Sequence, residues 1–356
     1  GLVLASTGDK YTDSYNYSYV GSKISENAEV RNKDGVGIVI SGHEQIKPQK
    51  DPYDTYAVLE FNRGKNFFNH YQFEAAIQNF KEAEAKLDDG ELKDLAKFYI
   101  KLVNFYQKWD KFNDRIEIYN EKLDKIESFK LPSYFFKEII QKCPNELLNN
   151  DFDNSEEFIN QLNNNLEFLR LKIQNNQKEA MKYYLPDLLN NAHRKIEEGF
   201  FDDAVARLYR AIELIAQVSL NRHDLIDVEK FKNHKVFHIN RKQFKTQTKF
   251  DPEIPKMIQN WNIKEYEDRD KTFKVPKDKS YKILEAFGED LAKKYFADER
   301  LKNAVNKRND SILAHGLNPM NKKDAEDLYN RVLDYSKFFW VDIEKYMKMA
   351  EFPKFK

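Results

Sequence analysis

The chain has one cysteine, Cys143, among its 356 residues. That excludes an internal disulfide and a cysteine-rich metal site, and it fits a reducing cytoplasm. There is no excess charge of either sign: 59 Lys and Arg face 59 Asp and Glu. No global field therefore draws the protein to nucleic acid, and any site for a polyanion must be local. No apolar run approaches the ~20 residues that span a bilayer. No secretory leader is visible either, because "GLVLAS" is short and lacks a basic start. What is present is 41% hydrophobic content with 33% charge and a mean hydropathy of -0.80. These suit a soluble cytoplasmic protein of two or three domains, each able to bury a core. The first residue is glycine, so a missing upstream portion is expected.

The patterning divides the chain into three. In residues 1–52, "YNYSYVGS" alternates aromatic with small polar residues, and "GVGIVISG" is a β-branched run between glycines. Both read as strands. Gly35-Val36-Gly37 precedes a strand, whereas a dinucleotide loop follows one, so no cofactor is expected there. Residues 53–178 turn helical. Breaks near Asn69-His70-Tyr71 and from Trp109 to Asn113 suggest helical hairpins of tetratricopeptide type. Residues 179–356 read as an all-helical domain. "YYLPDLLNNAHRKIEEGFFDDAVARLYRAIELIAQVSL" forms two helices, the first ended by Gly199 and the second begun at Asp202 or Asp203. Ala204, Leu208, Ala211, Ile212 and Ile215 share an apolar face of the second. An irregular segment from Asn221 to about Lys279 leads to three helices: "SYKILEAFGEDLAKKYF", "ADERLKNAVNKRNDSILAH" and "NKKDAEDLYNRVLDYSKFFWVDIEKYM". The fold class expected is mainly α, with a small α/β piece at the start.

Two Arg–His pairs compete for a catalytic reading: Arg63 with His70, and Arg308 with His315. His70 falls at an inter-helix break among packing aromatics, so the first pair does not share a helical face. Arg308 and His315 are seven residues apart. On a helix that is ~20° short of two turns, with a rise of ~10.5 Å, so both face one way and could flank a phosphate. Gly316 and Pro319 are stop signals, which puts His315 in the last turn. There the helix dipole favours imidazolium while Arg308 opposes it. The chemistry such a pair supports is metal-free RNA cleavage. The ribose 2′-OH attacks the adjacent phosphorus, histidine transfers the proton near neutral pH, and a guanidinium holds the charge growing on the phosphoryl oxygens. DNA, without that hydroxyl, would be inert.

In these residues the chain resembles a known family. Arg308, Asn309 and His315 fit the R-x(4–6)-H signature of HEPN ribonucleases. "FFDDAVARLYRAIELIAQ" and "KRNDSILAHG" resemble the two hallmark helices of the HEPN domain in CRISPR-associated CARF–HEPN proteins. "SYVGSK…GVGIVISGHEQI…DPYD…FNHYQFEAAIQNF" resembles their passage from the end of a Rossmann-like CARF domain into linker helices. The resemblance implies a homodimeric accessory endoribonuclease of type III CRISPR systems. It would cleave single-stranded RNA without metal or cofactor, at a site built from two copies. Cyclic oligoadenylate bound to the CARF domain would switch it on. The family's ligand loop would lie upstream of "GLVLAS", so the activator site is expected largely outside this chain. Asn309 would orient the phosphate or cap its neighbour. Glu213 occupies the helix where the family often carries a polar partner for the arginine.

Other candidates have plainer rivals. His234 and His238 stand at i, i+4, but the segment lacks a third ligand and the glutamate of an HExxH site. From Lys230 to Lys249 the charges are all basic, with Phe231, Phe237, Phe244 and Phe250 interleaved. Lys232, Lys235, Arg241 and Lys242 could hold RNA phosphates while the rings stack on bases. Alternatively the rings anchor a solvated insertion to the core. Arg207 and Arg210 suit surface or dimer contacts. Two other readings stay open: a non-catalytic helical scaffold and a stand-alone HEPN toxin ribonuclease.

Overall fold

In the computed structural model the described residues are 52–112, 155–173, 176–234, 236–248, 268–307 and 318–355, with four strand pieces between 22 and 46. All structural statements concern these. The strand pieces are β1 (Ser22–Lys23), β2 (Val30–Arg31), β3 (Gly37–Ile38) and β4 (Gln45–Ile46). They pair antiparallel, β1 with β4 and β2 with β3. β1 and β3 overlap the two expected strands.

The chain forms two compact units, residues 1–66 with 74–103, and residues 67–73 with 104–356. Helices α1 (Pro52–Asn69) and α2 (Phe73–Lys86) bear out the first expected hairpin and its break, while α3 (Glu91–Asp110) ends within the second expected break, beyond which residues 113–154 lie outside the described set. At the first break, Tyr71 takes a left-handed conformation at φ 61°. Within the first unit, Phe61, Ala76, Phe80, Ala83, Ala96 and Tyr99 are buried. Gly64 is required there: a Cβ would come within 2.7 Å of the Phe80 ring, closer than any packing allows. Glu60, almost buried, accepts from Lys86 at 2.9 Å.

The second unit holds α4 (Ser155–Ile173), α5 (Gln177–Ala180), a 3-10 turn (Met181–Tyr183), α6 (Tyr184–Glu197), α7 (Phe201–Arg222), α8 (Val228–His234), β5 (Ile239–Asn240), α9 (Arg241–Thr248) and β6 (Thr272–Phe273). Then follow α10 (Lys277–Ala286), α11 (Asp290–Ala297), α12 (Glu299–Lys307), α13 (Lys322–Phe339) and α14 (Ile343–Met349). Helix α7 is the axle of the fold, packed on α6, α10 and α13. Ala204, Leu208, Ala211, Ile212 and Ile215 are all buried, as expected. Each large member contributes ~1.5–3 kcal/mol of hydrophobic burial. Alanines at 204 and 211 let neighbouring helices approach closely. Tyr281 donates from its hydroxyl to the Ile212 carbonyl at 2.9 Å, so its ring can be buried without stranding a polar group.

Three expected boundaries are corrected. Helix α7 starts at Phe201, with Phe200 in the N-cap position and no side-chain cap; Asp202 and Asp203 occupy the first turn. There they favour the positive end of the helix dipole instead of capping it. "SYKILEAFGEDLAKKYF" is two helices, broken where Gly288 takes φ +78°. The bonds Glu289 N to Leu284 O (3.0 Å) and Gly288 N to Glu285 O (2.9 Å) form a Schellman ending that only a glycine adopts without strain. Gly199 ends α6 the same way at φ +83°. "NKKDAEDLYNRVLDYSKFFWVDIEKYM" is also two helices, α13 and α14, because Trp340 is extended at φ -146° and ψ 103°. Its ring stacks on Tyr346 at 4.6 Å, and that contact favours the bend over a straight helix. The irregular segment after Asn221 contains α8, α9 and the antiparallel β5–β6 pair.

Candidate functional site

Arg308, Asn309 and His315 lie outside the described residues; what is described is their frame. The described part of α12 runs to Lys307, next to Arg308 in the chain, and its Leu301 is fully buried in the core. The chain resumes at Asn318, and Met320 N donates to Asp202 Oδ2 at 3.2 Å. Asn321 then caps α13, accepting from Asp324 N at 2.9 Å. The chain is thus tied to the first turn of α7 at Met320, five residues past His315. The other carboxylate oxygen of Asp202, Oδ1, is buried and unpartnered. The computed helical relation between Arg308 and His315 itself falls on residues outside the described set.

His70 sits in the turn between α1 and α2, as expected, and Arg63 pairs with Glu60 at 3.4 Å. Glu213 pairs with Arg210 at 3.3 Å, and Arg210 also donates to Gln217 at 2.8 Å. Burial, which opposes charge, lowers the Arg210 pKa despite Glu213. Arg207 donates to Asn191 and to Asp203. These two arginines therefore have intramolecular work in addition to any surface role.

The insertion behaves mostly as an anchored structure. Phe231 and Phe244 are buried, and Phe237 packs on Phe231 at 4.7 Å between ring centres. Those rings are spent on the core, so the stacking half of the RNA-binding expectation finds no support in Phe231 or Phe244. Lys235 and Phe250 lie outside the described residues. Lys232 and Lys242 are exposed on α8 and α9, and Arg241 is half-buried. His234 closes α8, whereas His238 lies in extended chain beyond it. The two are not an i, i+4 pair on one helix. His238 is buried, 3.1 Å from Thr272 Oγ1 and 3.2 Å from Asp268. Burial, helped by Lys230, lowers its pKa. Lys230 binds both Asp268 and Asp270. Burial works against its charge, but those hydrogen bonds outweigh it and raise its pKa. The cluster locks the β5–β6 pair to α8.

Sequence reasoning missed a buried ionic stripe on α6. Asp187, Asn191 and Arg194 are all buried. Trp109 Nε1 donates to Asp187 at 3.0 Å, and the fully buried Lys172 ammonium also binds Asp187. Asn191 Nδ2 donates to the Asp110 carboxylate at 2.8 Å, as does Arg194 Nε at 2.8 Å. Burial pushes the Asp110 pKa up, but Arg194 and Lys195 outweigh it and hold the carboxyl below its ordinary range. The signal was present: Asp187, Asn191 and Arg194 stand at i, i+4 and i+7, one helical stripe.

These features define an all-helical domain built around the hairpin of α6 and α7. Residues 173–339 match the family model of the Csm6 HEPN domain. The matched span contains Arg308, Asn309 and His315 and supports a place among CRISPR-associated HEPN proteins, whose domains are generally ribonucleases. No curated protein matches the chain. Among the described residues no helix is long and apolar enough to cross a membrane.

Proposed function

We propose that the chain is an endoribonuclease that cleaves single-stranded RNA by 2′-OH attack, with His315 transferring the proton, Arg308 holding the phosphoryl charge and Asn309 orienting the phosphate. One observation carries the reading: the R-N-x(5)-H pattern falls inside the span that matches the Csm6 HEPN domain. The bond from Met320 to Asp202 supports it, since it fixes the chain to a rigid helix five residues past His315. The sequence chemistry needs no metal or cofactor. The active form is a homodimer, because one ~10.5 Å Arg–His span cannot close on a single phosphate oxygen and a second copy would complete the cleft. The role is type III CRISPR defence, with residues 1–52 as the end of a CARF domain and cyclic oligoadenylate as activator.

The test uses the full chain. Cleavage should survive excess EDTA and leave 2′,3′-cyclic phosphate ends, and light scattering should give about twice the 42.4 kDa chain mass. His315→Ala should lower the rate at least ~100-fold, while His70→Ala should leave it nearly intact. Equal loss in both folded variants, or loss on chelation restored by magnesium, sinks the reading.

A further inference from the structure

The C-terminal ends of α7 and α13 meet the start of α11 around an open cavity of about 340 Å3, lined by Arg222, Phe287, Leu291, Phe338 and Phe339 among others. Asp202, which holds Met320, is at the opposite end of α7. Twenty residues of helix separate it from Arg222, about 30 Å. The cavity is therefore remote from that anchor at Met320.

Its chemistry is unusual for a solvated surface. Phe338 is 49% exposed, a large ring left open at the rim. The Lys294 ammonium lies 4.3 Å from the centre of that ring, and the Arg222 guanidinium lies 4.4 Å from the centre of Phe339. Among the described residues neither cation has an ion-pair partner. The two acids on the lining are already engaged, Glu289 with His223 at 2.7 Å and Asp290 with Lys293 at 2.8 Å. The lining also includes Leu291 and Phe339, both buried. An exposed ring with one cation against it and a second cation over the neighbouring ring suits a planar aromatic group that carries its own anion.

We propose that this groove is a second binding site for single-stranded RNA, with a base stacked on Phe338 and the neighbouring phosphates on Arg222 and Lys294. Every nucleotide brings both an aromatic face and a phosphate, whereas an acidic peptide would need a particular arrangement of aromatic and acidic residues. The choice of polymer rests on the ribonuclease reading. The groove would hold the strand far from the Met320 anchor, so it acts on substrate capture and not on the chemical step.

The experiment measures fluorescence polarisation of a labelled single-stranded RNA of about 20 nucleotides, long enough to span one such groove. The protein is the full chain carrying His315→Ala, so that the strand is not consumed. Phe338→Ala in that background should weaken binding by at least ~5-fold, the loss of one stacked base. The surface variant Arg222→Glu/Lys294→Glu should weaken it by ~10-fold and lower the slope of log K against log salt by about 1.4, two phosphate contacts to a single strand. With His315 intact, the same changes should raise KM and leave kcat within about twofold. Binding and salt slope equal to the parent in both variants overturn the proposal. So does a weakened affinity accompanied by a lower mass in light scattering, which would make the groove a contact between protein copies. Continued cleavage by His315→Ala overturns the Arg–His reading instead and leaves the binding comparison intact.

Discussion

Helix α6 has two buried sides that are built on different principles. One, carrying Leu185, Leu189, Ala192 and Ile196, joins the apolar core shared with α7. The other carries Asp187, Asn191 and Arg194, tied by directed bonds to Trp109, Lys172 and Asp110. An apolar face tolerates exchange of one hydrocarbon shape for another, at a cost set by the cavity left behind. A buried charge tolerates no loss of its partner, because nothing else nearby can solvate it. The apolar side therefore supplies bulk stability, and the polar side fixes which neighbours α6 accepts.

Breaking the polar side should have the largest effect. Asp187→Ala removes the carboxylate paired with the Lys172 ammonium, which is 1% exposed, and should cost ~3–5 kcal/mol in urea unfolding. The double variant Asp187→Leu/Lys172→Met removes both charges and should recover most of that loss. If it does not, the stripe is a stability element and not a device of specificity. On the apolar side, Leu208→Ala should cost ~3 kcal/mol, through transfer and a residual cavity. Its loss should be insensitive to pH.

The smallest effect is a titration. The native Asp110 pKa is lowered, so between the native and unfolded values the unfolded chain binds the extra proton, and stability rises with pH. The contribution is complete above the ordinary carboxylate pKa of ~3.9 and is lost as pH falls through the lower native value. Unfolding followed from pH 5 downward should show the native chain losing stability more steeply than Asp110→Asn. Equal slopes would mean that the Arg194 contact does not distinguish the charged form.

Much of this was legible in the residues. The α6–α7 hairpin was announced by Gly199 and by the 3.6-residue spacing of Ala204, Leu208, Ala211 and Ile215. The break at Asn69-His70-Tyr71 was announced by the change of pattern on either side. The late helices were read too long, because Gly288 and Trp340 interrupt segments whose apolar period continues across them. The phenylalanines of the insertion were ambiguous for a related reason. A ring between lysines looks the same in a sequence whether it faces solvent or, as Phe231 and Phe244 do, the core.

The sequence by itself determined the mainly helical class, the apolar face of α7 and the Arg308–His315 spacing, because periodicity and short-range spacing are properties of a local chain. Only the tertiary structure decided that Asp187 faces Lys172 and Trp109, that Asp202 holds Met320, and that Arg222 and Lys294 each lie over one of two phenylalanines that line a cavity. Those pairings join residues 15 to 118 positions apart. No local pattern selects a partner at such a distance; packing against shared helices does.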